Sequence, residues 1–124
     1  MTDATANPIR EAIQEAIDSN PVILFMKGTP EAPQCGFSAR TVAILESLGA
    51  RFAAVDILPD PRIRQELSTL SNWPTIPQLF VDGGLVGGCD IVSEMYESGE
   101  LMQTLGIDAP APEAPAPLSI ENRL

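Results

Sequence analysis

The sequence predicts an α/β domain: a four-stranded mixed sheet flanked by helices. Three observations carry that prediction. Val22-Ile23-Leu24-Phe25-Met26 is an unbroken apolar run of strand length, as a central strand covered on both faces requires. A helical pattern then leads to a second apolar run, and strand-helix-strand in that order gives a parallel βαβ unit through a right-handed crossover. Farther on, Leu79-Phe80-Val81 and Leu85-Val86 bracket Asp82-Gly83-Gly84, which reads as a hairpin feeding a last helix, an antiparallel ββα unit.

Each element has its own justification. Ile9, Ala12, Ile13, Ala16 and Ile17 recur at helical spacing, so 8–19 reads as a helix with Pro8 in its first turn after Asn7, and Asn20-Pro21 ends it. Lys27-Gly28-Thr29-Pro30 closes the first strand and opens a loop. From Gly36 the stripe Phe37, Thr41, Ile44, Leu45 and Leu48 follows a 3.6-residue period and is expected to face the core, with Gly49 as the C-terminal cap and Cys35 at the N-terminus. Phe52 to Ile57 is expected as a second buried strand. Asp60 caps a helix with Pro61 in its first turn and Ile63, Leu67 and Leu70 inward. Ser71 to Pro77 interrupts it; Trp73 is expected in the core, and Pro77 is a candidate cis proline. Asp90 starts the last helix, carrying Ile91, Met95, Leu101 and Leu105, with a break at Gly99. The expected organisation is a flexible N-terminus over 1–7, one domain over 8–107, and a disordered Ala/Pro tail over 108–124, whose composition buries too little apolar surface to order itself.

Composition narrows the chemistry. Seventeen acidic against seven basic side chains give a net charge of −10, which argues against a nucleic-acid role and requires any anionic ligand to be held by a local cluster of bases. No stretch approaches the roughly 18 apolar residues of a membrane span, and no leader is recognisable, so a cytoplasmic location is expected. The two cysteines, Cys35 and Cys89, are too few for a disulfide scaffold. With no histidine, Ser-His-Asp and Cys-His catalysis and histidine metal sites fall away.

Cys35 is the residue with chemistry to offer. A helix N-terminus lowers a thiol pKa, and Lys27, the only lysine, ends the preceding strand where it adds a cation. The spacing Cys35-Gly36-Phe37-Ser38 places a hydroxyl where a dithiol motif has its second sulfur, and a hydroxyl cannot resolve a mixed disulfide. Ser38 either donates to the Cys35 sulfur or satisfies a backbone group in the first turn. Cys89, in Gly87-Gly88-Cys89-Asp90, reads as a resolving thiol, a cluster ligand or core filler, with core or backbone-only use favoured. Asp90 is a helix cap or a binder of a ligand amine, and Arg62 and Arg64 read as solvated surface.

Taken together, "MKGTPEAPQCGFSARTV", "SNWPTIPQLFVDG" and "GGCDIVSEMYESGEL" resemble the monothiol glutaredoxins of the Cys-Gly-Phe-Ser type, in order and at that family's separations, over roughly residues 8 to 107. The resemblance implies a thioredoxin-like fold and a glutathione groove. In it Lys27 and Arg64 meet the glycine carboxylate, the main chain of Ile76 ahead of Pro77 pairs with the cysteine residue, and Cys89, through its backbone, and Asp90 hold the γ-glutamyl end. It further implies a two-iron, two-sulfur (2Fe-2S) cluster at a homodimer interface with Cys35 as the protein's ligand. The ligand count is completed by Cys35 from each chain and two glutathione thiolates, or alternatively by Cys35 and Cys89 from both chains. The expected function is cluster transfer to apo iron-sulfur proteins and iron homeostasis, with a BolA-like protein as a further partner. The runner-up is a glutathione-dependent oxidoreductase working through Cys35, and a redox-regulated binding module is the third reading.

Overall fold

The computed structural model describes residues 7–107; the expected flexible N-terminus over 1–7, apart from Asn7, and the expected Ala/Pro tail over 108–124 lie outside them. Helix α1 spans Pro8–Ser19, capped by Asn7, whose side chain accepts the Arg10 N–H. Strand β1 (Val22–Met26) follows, then two short strands, β2 (Gly28–Thr29) and β3 (Ala32–Pro33), then α2 (Gly36–Ser47) and β4 (Ala53–Asp56). Helix α3 (Pro61–Ser71) leads to the hairpin β5 (Gln78–Val81) and β6 (Gly84–Gly87), and α4 (Cys89–Ser98) and α5 (Glu100–Leu105) complete the described chain.

The sheet runs β4-β1-β5-β6, with β1 parallel to β4 and antiparallel to β5, and β5 antiparallel to β6. This is the mixed sheet the sequence predicts, and β1 is central because its side chains can be buried on both faces. Leu24 and Met26 point into a core shared with Val42, Leu45, Leu79, Val92 and Leu101, between the sheet and α2, α4 and α5. Ile23 and Phe25 point the other way, into a core with Ile13, Ile17, Ile57, Leu67 and Phe80, under α1 and α3. There the rings of Phe25 and Phe80 meet edge to face at 5.7 Å. At the hairpin tip, Asp82 and Gly83 both have positive φ (51° and 84°), the backbone a tight hairpin with right-handed strand twist demands. No described helix is long and apolar enough to cross a membrane.

Four expectations are corrected. The segment after Lys27 is a small antiparallel ribbon, with Gly28 opposite Pro33 and Thr29 opposite Ala32. Strand β4 is a half-buried edge strand, since among the described residues only β1 pairs with it. Phe37 does not join the inward stripe of α2; it is 61% exposed and lines the cleft beside Cys35, while its neighbour Ser38 takes the buried position in the first turn and Thr41 is buried as expected. The last helix starts at Cys89 with Gly88 at the cap position, so Asp90 lies within the first turn and is not the cap.

Gly28 is the tightest point of the ribbon. Its φ is +89°, and an added Cβ would lie 2.5 Å from the Ala32 carbonyl oxygen and 2.7 Å from the Gln34 nitrogen, both backbone atoms that cannot swing away. Replacing Gly28 by Ala is therefore expected to destabilise the protein by about 1–3 kcal/mol. Thermal or denaturant unfolding of G28A checks this; an unchanged midpoint would show that the ribbon contributes nothing to holding the Lys27–Cys35 segment.

Candidate functional site

The end of β1 and the start of α2 are tied together through one residue. The Lys27 N–H donates to Ser38 Oγ at 3.1 Å, and the Lys27 carbonyl accepts the Gln34 N–H at 2.9 Å. Both main-chain groups of Lys27 are thus spent on the residues flanking Cys35. Asp56 secures the same corner from the end of β4: its Oδ1 accepts the Gly28 and Leu58 N–H groups, each at 2.9 Å. The chain has no freedom here to move the cysteine away from the lysine.

Cys35 occupies the N-cap position of α2 in extended conformation (φ −153°, ψ 137°), and its carbonyl accepts the first helical bond from Ala39 at 2.9 Å. Its sulfur makes no regular capping hydrogen bond, yet the first-turn amides face it. The thiol pKa is lowered, mainly by the Ser38 N–H, with smaller contributions from the Phe37 N–H, the Lys27 charge and the Ser38 hydroxyl, against an opposing push from partial burial. A thiolate at this position replaces the missing side-chain cap with negative charge, which the helix dipole favours.

Of the two expected uses of Ser38, the one toward the sulfur is found, and the other is corrected. Its hydroxyl accepts the Lys27 N–H and also contributes weakly to stabilising the thiolate, while being fully buried. The backbone group it satisfies belongs to Lys27 and not to the first turn of α2.

A cleft of about 400 Å³ opens beside the sulfur, lined by Lys27, Cys35, Phe37, Arg64, Cys89 and Asp90 together with Trp73, Thr75, Ile76 and Pro77. It thereby brings together all six residues singled out in the sequence: Cys35, Lys27, Arg64, Ile76, Cys89 and Asp90. The Ile76–Pro77 peptide bond is cis. Two helix N-termini reach this cleft without a side-chain cap: that of α2 turns its first N–H groups to the Cys35 sulfur, and that of α4 offers N–H groups to a ligand. A larger hollow, at the opposite end of β1 by Val22 and Arg51, contains no thiol, and nothing in its lining points to chemistry.

Arginines that looked alike in the sequence separate here. Arg62 pairs with Asp60 at 2.8 Å and Arg10 with Glu66 at 2.9 Å, whereas Arg64 and Lys27 enter no ion pair among the described residues and line the cleft. Cys89 is 8% exposed, with its sulfur 4.0 Å from Ser93 Oγ. Trp73, expected in the core, is only partly buried and forms part of the cleft wall. It was missed because an isolated tryptophan carries no periodicity to show which way it faces; the flanking Pro74 and Pro77, which preclude a helix, were the available signal.

Alkylation with iodoacetamide across pH tests the electrostatics. Cys35 is expected to reach half-maximal rate below about pH 8.5, the value of an ordinary cysteine, while buried Cys89 reacts far more slowly. Because the largest contribution is a main-chain N–H, Ser38→Ala should leave the Cys35 midpoint low, yet cost about 1–3 kcal/mol by leaving the Lys27 N–H without its partner. A Cys35 midpoint at or above that of free cysteine would overturn this account.

Comparison with known proteins agrees with this geometry. The glutaredoxin family model matches residues 22–86. Glutaredoxin 4 of Escherichia coli K12 is 60% identical over 95 residues, covering 77% of this chain and 83% of the relative. The probable monothiol glutaredoxin 2 of Rickettsia prowazekii is 52% identical over 101 residues, covering 82% and 94%. Among solved structures, a buckwheat glutaredoxin–glutathione complex superposes with a TM-score of 0.72 at 27% identity, covering 80% of this chain and 88% of that one. With its one accessible thiol at the mouth of α2, its thioredoxin-like sheet and these relatives, the chain belongs to the monothiol glutaredoxins.

Proposed function

We propose that this protein binds glutathione in the Cys35 cleft and, as a homodimer, carries a 2Fe-2S cluster held by one Cys35 and one glutathione thiolate from each half. The observation that carries the proposal is the pairing of one accessible, acidified thiol with a fully buried Ser38 at the position of a second sulfur. Such a thiol cannot form a disulfide with its nearest neighbour along the helix, and its thiolate remains available to iron.

The cleft suits glutathione by charge. That tripeptide has a carboxylate at each end and an ammonium at one. Lys27 and Arg64 supply two cations without ion-pair partners among the described residues, for the glycine carboxylate. The uncapped start of α4, at the backbone of Cys89, supplies N–H donors for the γ-glutamyl carboxylate, and Asp90 in the same turn supplies a negative group for the ammonium. Between them lies the Thr75–Pro77 main chain, where Ile76 would pair with the cysteinyl residue. The buckwheat relative in complex with glutathione supports the same occupant.

Ligand supply favours a shared cluster. No group of three or more His, Cys, Asp or Glu side chains stands close enough to hold a metal ion among the described residues, so a four-thiolate cluster must draw on ligands beyond one chain. The set using Cys89 from both chains is disfavoured by that sulfur's burial and its turn toward Ser93. Two ligands of the favoured set are exchangeable small molecules, which fits cargo that must be released to apo iron-sulfur proteins, with a BolA-like protein as a possible second partner. A cytoplasmic setting and a part in iron homeostasis belong to the same proposal.

A second reading rests on the same acidified thiol. The Cys35 thiolate would attack the glutathione sulfur of a glutathionylated protein, releasing the protein thiolate and forming a Cys35–glutathione disulfide. A second glutathione thiolate would then attack that disulfide, yielding oxidised glutathione and restoring Cys35.

Anaerobic reconstitution with iron, sulfide and glutathione is expected to give a brown dimer with visible absorption. Cys35→Ser should abolish the colour and Cys89→Ser should retain it. A colourless monomer from the parent protein would sink the cluster reading. Turnover at the rate of dithiol relatives in a coupled deglutathionylation assay would move the second reading to first place.

A further inference from the structure

The segment from Trp73 to Pro77 forms one wall of the cleft but belongs to no helix or strand. Something outside it must therefore hold it in place. Gln78, the first residue of β5, does not line the cleft and is 0% exposed. Its backbone is fixed by the sheet, in register with Phe25 of β1. From that anchor its Nε2 donates to two carbonyls of the wall, Trp73 O at 2.9 Å and Thr75 O at 3.0 Å.

Two features mark this side chain as more than filler. Both protons of the amide nitrogen are used, and reversing the amide would turn its oxygen toward two carbonyl oxygens, so the orientation is dictated. Its Oε1 is buried without a hydrogen-bond partner among the described residues, a costly arrangement that an apolar side chain of similar size would avoid. The cost is tolerable only if the two bonds on the nitrogen side matter.

We propose that Gln78 positions the glutathione-binding wall: by tying the carbonyls of Trp73 and Thr75 to the central sheet, it fixes the main chain around Ile76 and thereby sets affinity for the tripeptide without touching it. The affinity consequence rests on the glutathione reading above. The holding of the wall itself does not.

Trp73 is the only tryptophan in the chain, so its fluorescence reports on the wall directly. Gln78→Met keeps length and removes both bonds; it is expected to red-shift Trp73 emission, to increase its quenching by acrylamide, and to weaken binding of S-methylglutathione, a probe unable to exchange with Cys35, by about tenfold. Gln78→Glu should resemble Q78M at pH 8, where a carboxylate faces two carbonyls. It should return toward the parent protein on acidification, because the protonated acid regains one donor, whereas Q78M should not. The parent is titrated alongside, since Cys35, Lys27, Arg64 and Asp90 line the same cleft.

Unchanged Trp73 emission in folded Q78M, or identical pH responses of Q78E and Q78M, overturns the proposal. S-methylglutathione binding by Q78M within twofold of the parent overturns the affinity role. Should Q78M fail to fold, the Q78E response decides alone: a return at low pH supports the role and a flat response overturns it. If the parent itself fails to bind S-methylglutathione, the glutathione reading and the affinity role fall together, and Trp73 emission still decides whether Gln78 holds the wall.

Discussion

The interaction on which the rest depends lies between a sulfur and the peptide groups at the start of α2. A helix leaves its first N–H groups unpartnered, and most sequences answer with Ser, Thr, Asp or Asn at the cap. Here the cap position holds Cys35, so the helix and the thiol each meet the other's need only when the thiol is ionised. The surrounding structure keeps that match from slipping. Lys27 commits its N–H to Ser38 and its carbonyl to Gln34, while Asp56 draws Gly28 and Leu58 onto one carboxylate oxygen. Backbone bonding therefore fixes where the lysine side chain starts, and from there its ammonium adds a minor stabilising charge to the thiolate.

Charge sets the second constraint. A chain with a net charge of −10 repels a peptide with two carboxylates at long range, but screening confines that repulsion to about 8 Å at physiological ionic strength. Affinity must then come from groups at contact distance. The few bases are divided accordingly: Arg10 and Arg62 are neutralised by Glu66 and Asp60 on exposed helix surfaces, whereas Lys27 and Arg64 are left to the cleft. Exposed ion pairs such as the first two contribute little to stability, so what matters for an anionic ligand is that two cations without ion-pair partners among the described residues line one cleft.

How much of this is legible in the sequence follows from what each residue's neighbours impose. The apolar run 22–26 can satisfy itself only in a central strand, and Asp60-Pro61 can serve only as a helix start, so both are readable without coordinates. Phe37 and the β4 strand are misread for a common reason. Periodicity says which side chains share a face and not whether another element covers that face; Phe37 lies at an open cleft and β4 at the edge of the sheet. The ribbon of β2 and β3 escapes because two-residue strands built from Gly28 and Pro33 carry no pattern at all. The cleft residues were legible as a set through the resemblance of three motifs, but the distinction between Arg62 and Arg64 was not, since both lie on one helix and only the ion pair to Asp60 separates them.

Cys89 sharpens the argument for a solitary thiol. Two sulfurs lining one cleft would ordinarily invite a disulfide, and the sequence left that possibility open. In the fold the second sulfur is 8% exposed and turned toward Ser93, while glycines precede it at positions where a side chain would collide: a Cβ on Gly87 would meet Ile91 at 2.7 Å, and one on Gly88 would meet the Pro77 carbonyl at 3.1 Å. The close approach permitted by these glycines brings the start of α4, and so the backbone of Cys89, to the cleft, while the sulfur is buried 4.0 Å from Ser93 Oγ of the same helix. Backbone and side chain of one residue thus face different tasks. The fully buried Val92 and the Gly88–Val92 helical bond hold the first turn of α4 in place, so the second sulfur stays buried and Cys35 is the accessible thiol at the cleft.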